Sequence, residues 1–209
     1  MEHRVADPGP LGLAGFAMTT FLLSLFNIGL FKFGGTASAA ISGAISLAFI
    51  YGGVAQFAAG MWEFVRKNTF GAVAFTSYGA FWIGVYFFIN FQGGLAVKGA
   101  LGLYLLPWIL FTAYMAVAAM RVNVAVLLVF VALTLAFLFL TIGAWGGGHT
   151  DMTKIGGWLG IVTALLAWYA SAAGVINETH GKVVLPVGPL SGVTHETHGN
   201  SMPPARPLS

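Results

Sequence analysis

Residues 124–140 read Val-Ala-Val-Leu-Leu-Val-Phe-Val-Ala-Leu-Thr-Leu-Ala-Phe-Leu-Phe-Leu, and Thr134 alone among them is polar. A membrane-crossing β-strand is about ten residues of alternating character. An unbroken apolar run approaching twenty residues is what a helix needs to cross a bilayer with its backbone satisfied internally. The rest of the chain has the same character. It is 58% hydrophobic and 7% charged over 209 residues. A soluble chain of this length would carry roughly fifty charged residues, whereas this one has nine Lys/Arg and six Asp/Glu. The mean hydropathy is +0.86. Lipid is therefore the main solvent.

Charges and glycine clusters divide the chain into six apolar spans, Leu11–Phe33, Ala40–Val65, Phe70–Phe91, Gly99–Met120, Val124–Trp145 and Ile155–Ile176. The expected fold is an all-α membrane protein with six transmembrane helices. Residues 1–10 precede the helical domain of 11–176. Residues 177–188 form a C-terminal motif, and 189–209 a flexible tail rich in Pro, Gly, Ser, Thr and His. The first span lacks a cleavage site and is about twice the length of an h-region, so it is not read as a signal peptide.

Lys/Arg placement predicts the orientation. With the N-terminus inside, Arg4, Arg66, Lys67, Arg121, Lys182 and Arg206 are cytoplasmic, while Lys32, Lys98 and Lys154 lie opposite. Both termini are thus expected in the cytoplasm of a multi-pass cell-membrane protein. Odd spans end in glycine clusters (Gly34–Gly35, Gly93–Gly94, Gly146–Gly148) and even spans in polar turns. Three helical hairpins around one axis would produce this alternation, as would any bundle with wet ends.

Several functions are excluded by what is missing. The chain has no cysteine, hence no disulfides, thiolate metal sites or Cys nucleophile. No histidine lies inside a span, which argues against haem, and helix six has no interior lysine for a retinal Schiff base. No P-loop or HExxH is present, nor a basic aromatic surface for nucleic acid. No cofactor, metal or enzymatic activity is expected; His195 and His198 are read as solvent-exposed tail residues.

Glu63 is the acidic residue clearly inside a span, where charge is costly and usually functional. Arg66, three residues on, offers a local ion pair, and a place at a pore mouth is the other reading. Lys32 is expected to snorkel. Uncharged polarity falls at helical spacing: Phe16, Thr20, Ser24 and Asn27 on helix one, Gln56, Gly60 and Glu63 on helix two, Tyr78, Trp82 and Tyr86 on helix three. Such stripes either join helices or line a path for a small polar solute. Their concentration on the first three helices favours the path.

Four blocks carry a resemblance. They are Asp7-Pro8-Gly9-Pro10-Leu11-Gly12-Leu13; Tyr51-Gly52-Gly53-Val54-Ala55-Gln56 with Gly60 and Glu63; Asn68-Thr69-Phe70-Gly71 through Phe75-Thr76-Ser77-Tyr78-Gly79 to Phe81-Trp82; and Asn177-Glu178 with Gly181 and Val184-Leu185-Pro186. In this order they resemble the acetate uptake transporter family, also called the succinate–acetate permeases, whose signature is N-P-A-P-L-G-L. Asp7 stands where the signature has Asn and Gly9 where it has Ala. An acid at position 7 works against anion handling unless it is protonated or paired.

The resemblance implies six-helix protomers, each with its own pathway, in a homo-hexameric ring that passes acetate, and often succinate, with protons or as a channel. It places a narrow apolar waist at Phe16, Tyr78 and Leu133, with Ala167 as a small neighbour affecting substrate size. Thr19, Thr20, Gln56 and Asn177 are expected donors to the carboxylate. Asp7, Glu63 and Glu178 are candidates for proton handling or for the mouths. No Lys or Arg is expected at mid-membrane, so the acid would cross the waist with a proton, because desolvating a bare carboxylate costs several kcal/mol or more. The alternative is a channel for small neutral solutes such as urea, ammonia or water.

Overall fold

A computed structural model of the chain describes residues 5–30, 43–90, 99–146 and 150–190. Lys32, Lys98, His195, His198, Arg4, Arg206 and most of the glycine clusters lie outside these. Six helices are long and apolar enough to cross a membrane. They are α1 (Gly9–Asn27), α2 (Gly43–Val65), α3 (Thr69–Asn90), α4 (Ala100–Ala119), α5 (Val124–Trp145) and α6 (Asp151–His180).

The ends have local causes. Pro10 sits in the first turn of α1, where its missing N–H costs nothing. The helix stops at Asn27, not Phe33. Gly29 takes φ +72°, its N–H bonds Phe26 O, and Leu30 N–H bonds Leu25 O at 3.4 Å. This is a Schellman ending that apolar residues beyond it do not override. The same pattern closes α2. Lys67 N–H reaches Phe64 O and Asn68 N–H reaches Glu63 O, both at 3.0 Å. Here, however, the left-handed position is held by Lys67, at φ +60°.

Helix α6 outruns its predicted span at both ends, starting at Asp151 under a Thr150 cap and ending at His180. At thirty residues it is about 45 Å long, more than the roughly 30 Å of a bilayer's hydrocarbon core. Asn177 and Glu178 therefore belong to its last turns.

Helix α2 is π-helical over Ala48–Ala55 and α-helical over Gln56–Val65. The wide turns bring Tyr51 O beside α1 where Gly15 passes; a Cβ there would stand 2.6 Å from that oxygen. Around the bundle α1 packs on α2, α2 on α3, α4 on α5, α5 on α6 and α6 back on α1. Helices α3 and α4 meet mainly through rings, with Phe81 4.9 Å from Trp108 and Tyr104 Oη donating to Phe81 O at 2.8 Å.

Beyond α6, residues 183–190 fold back onto the start of α5. Asn177 Oδ1 accepts from Val184 N (2.7 Å) and Leu185 N (2.9 Å), and its Nδ2 donates to Leu185 O at 2.8 Å. Gly188 O and Val187 O then accept the first two N–H groups of α5, from Val124 (2.8 Å) and Ala125 (3.1 Å). Asn123 Oδ1 takes the third, from Val126, at 2.8 Å. Donors that a helix start normally leaves orphaned are thus satisfied by the far end of the chain. Pro189 and Leu190, read from composition as the start of the flexible tail, take part: Pro189 bridges Asn123 and Leu190 N–H bonds Val122 O.

Candidate functional site

A cavity of about 260 Å³ lies between α1, α2, α3 and α5. Its mouth carries Asp7, Glu63, Arg66, Asn68 and Asn123, and its lining continues past Gln56 to Phe16, Tyr78 and Leu133.

The inner end is apolar and closed. Phe16, Tyr78 and Leu133 are each at most 4% exposed and come from α1, α3 and α5, the first helix of each hairpin. Tyr78 is the hub of this packing. Its ring centroid lies 5.5 Å from Phe16, 5.3 Å from Phe111 and 6.1 Å from Phe130. Its hydroxyl shares a 2.8 Å hydrogen bond with Thr112 Oγ1 on α4. The ring is thereby held from both ends. Ala167 is fully buried on α6 in the same apolar cluster, behind the lining rather than in it.

The mouth is polar and built from helix ends. Asp7 Oδ1 accepts Gly9 N–H at 2.9 Å, which turns the chain into α1, and also pairs with Arg66 Nη1. The doubt raised by an acid at position 7 is answered by this partner. Arg66 Nη1 is 3.7 Å from Glu63 Oε2. Asn68 Nδ2 bonds the same oxygen at 2.9 Å, so the amide holds Glu63 more closely than the local ion pair does. Asn68 Oδ1 accepts Gly71 N–H at 3.2 Å, the position of a helix cap. Glu63 is 1% exposed, and a Cβ on Gly71 would stand 2.8 Å from its carboxyl carbon. Only a glycine at the start of α3 leaves room for it.

Other polar residues are placed differently. Gln56 is 1% exposed and lines the cavity, with its Oε1 unpartnered among the described residues. Thr19 does not reach the cavity. Its hydroxyl donates to Gly15 O at 2.9 Å, and it packs where α1 meets Gly52 of α2. Thr20 faces Gly160 of α6 and keeps an unpartnered buried Oγ1. Asn177 is occupied by the returning segment. Glu178 is exposed, at the end of α6. The structure thus gathers Phe16, Tyr78, Leu133, Gln56, Asp7 and Glu63, and leaves out Thr19, Thr20, Ala167, Asn177 and Glu178.

Sequence reasoning missed three features. Asn123 reaches the mouth, although in the sequence it stands only at the end of a polar turn between two spans. One turn beyond Tyr78 from the mouth, Trp82 Nε1 is buried without a partner among the described residues, and two turns beyond Leu133 so is Thr141 Oγ1. With Thr20, one turn beyond Phe16, they form a set of idle hydrogen-bonding groups on the waist helices. Their spacing was legible; their lack of partners was not.

Known proteins resemble the chain in sequence and in fold. The chain is 37% identical over 190 residues to the succinate-acetate/proton symporter SatP of Escherichia coli K12, covering 88% of this chain and 96% of that one. It is 38% identical over 192 residues to ammonia transport outward protein 2 of Saccharomyces cerevisiae, covering 88% of this chain and 66% of that one. A solved structure of the bacterial acetate channel SatP superposes with a TM-score of 0.79 at 36% identity, covering 88% of this chain and all of the other. These relatives are transporters and channels, and with six spanning helices this is an integral membrane protein. A family sequence profile matches residues 1–192, and the chain belongs to the GPR1/FUN34/yaaH family.

Proposed function

We propose that the protein passes small carboxylic acids, acetate and succinate among them, through this cavity, and that each acid crosses the waist carrying a proton. The observation that carries the reading is the contrast within the lining. Its one base among the described residues, Arg66, sits at the mouth, and the waist of Phe16, Tyr78 and Leu133 holds no charge. A bare carboxylate has no partner there, and its desolvation costs several kcal/mol or more; a neutral acid loses far less. Gln56 and the mouth amides receive the carboxylate. Glu63 and Asp7 are the proton-handling candidates on that side. Thr20, Trp82 and Thr141 offer hydrogen bonds on the far side.

The experiment is acetate uptake into proteoliposomes with a pH gradient imposed or collapsed. Uptake that follows the proton gradient is expected; electrogenic uptake indifferent to it overturns the reading. A second reading, passage of a small neutral solute, is supported by the name of the yeast relative, an ammonia transport outward protein. Ammonia or urea flux through proteoliposomes that take up neither acetate nor succinate would support that alternative.

The proposal includes a homo-hexameric ring with both termini cytoplasmic. Helix α4 supports such packing, since it buries the smallest share of its surface within the protomer and turns Leu103, Leu110 and Val117 outward. Native mass spectrometry in detergent tests the ring. The chain has no cysteine, so a single Lys182→Cys label, blocked until the membrane is permeabilised from outside, tests the orientation.

A further inference from the structure

The mouth of the cavity holds one guanidinium between two carboxylates. Arg66 Nη1 pairs with Asp7 and stands 3.7 Å from Glu63 Oε2. All three line the cavity beneath which the Gln56 amide oxygen lies unpartnered. The Arg66 and Asp7 side chains are 33% and 42% exposed, so the pair is open to solvent rather than sealed in protein. Glu63, by contrast, is buried and held by Asn68.

A guanidinium is the side chain whose planar fork best fits a carboxylate. Asp7 presents to it the same functional group as the proposed solute. The geometry points to Arg66 as the docking residue for the carboxylate at this mouth, with Asp7 as a built-in competitor that the solute must displace. The inference rests on the carboxylic-acid reading above and adds to it a residue and a mode of control.

The position of Asp7 gives a clean way to separate charge from structure. Its Oδ1 also accepts Gly9 N–H at 2.9 Å, and an asparagine would keep that acceptor while losing the charge. The mouth would then hold one carboxylate to one guanidinium instead of two. Because the pair is exposed, the competition it offers is modest and screened by salt.

The test uses the full chain in proteoliposomes and reads the half-saturating acetate concentration at low and high ionic strength. Asp7→Asn is expected to lower it about threefold to fivefold at low salt, the range an exposed ion pair supports, and by less at high salt. Arg66→Gln is expected to raise it, and the double variant to match Arg66→Gln alone. Asp7→Ser, which also keeps an acceptor for Gly9 N–H, must shift in the same direction as Asp7→Asn. An unchanged or raised value in both Asp7 variants overturns the displacement, as does a gain that persists without Arg66. A wild-type protein that takes up no acetate overturns the underlying reading instead.

Discussion

The two ends of the cavity are made of opposite material. At the mouth, Asp7, Glu63, Arg66 and Asn68, from helix ends and turns, pair with or bond one another, and Asn123 stands at the same mouth as the cap of α5. At the waist, three buried apolar faces from three helices meet around Tyr78, whose one polar atom is turned away to Thr112. Under the proposed function, capture and desolvation fall at different places. The mouth can change charge without altering the bore, and the waist can change bore without altering charge.

The largest effect should come from the waist. Leu133→Ala removes most of a side chain from the lining, and passage of lactate and succinate relative to acetate is expected to rise on the order of tenfold. The same change costs about 2–5 kcal/mol of stability. Uptake ratios in proteoliposomes check it, and unchanged ratios would place the bore elsewhere.

A smaller effect should follow from loosening the mouth's scaffold. Asn177→Ala removes three hydrogen bonds to 184–185, at about 0.5–1.5 kcal/mol each. Amide exchange at Val124 and Ala125 is expected to quicken while the uptake ratios stay fixed. A shift in selectivity would show that the two ends are not independent.

The smallest effect concerns the α2–α3 turn. Gly29 and Lys67 occupy the same left-handed position in two Schellman endings, and only the first is glycine. Lys67→Gly is expected to raise stability by about 1 kcal/mol, read as a higher unfolding temperature, with transport unchanged.

These contrasts also explain how much was legible in the sequence. Span α5 could be read to the residue, because Asn123 caps it and Gly146 follows its last turn. Span α1 was overextended since Leu30, Phe31 and Phe33 are apolar, and hydropathy does not register a backbone reversal at Gly29. The π-helical stretch of α2 passes so close to Gly15 that a Cβ there would stand 2.6 Å from Tyr51 O, an approach no local pattern reveals. For the site, Gln56 fell on a polar stripe and Thr19 was named with it as a donor to the carboxylate, and nothing local separated the two. Which of them faces a cavity and which faces another helix is decided by packing: Thr19 meets Gly52, whereas Gln56 meets open space. The waist residues were placed by resemblance, and the cavity brings them together at one end.

The cap on α5 has a consequence for how the protein is made. The amides of Val124 and Ala125 leave the ribosome more than sixty residues before Val187 and Gly188, which accept them. Until the returning segment emerges, the fifth helix begins with bare donors, and one wall of the mouth has no fixed edge. Closing this wall is therefore among the last steps of synthesis, and a chain stopped at residue 182 would insert all six helices yet leave that wall unfinished.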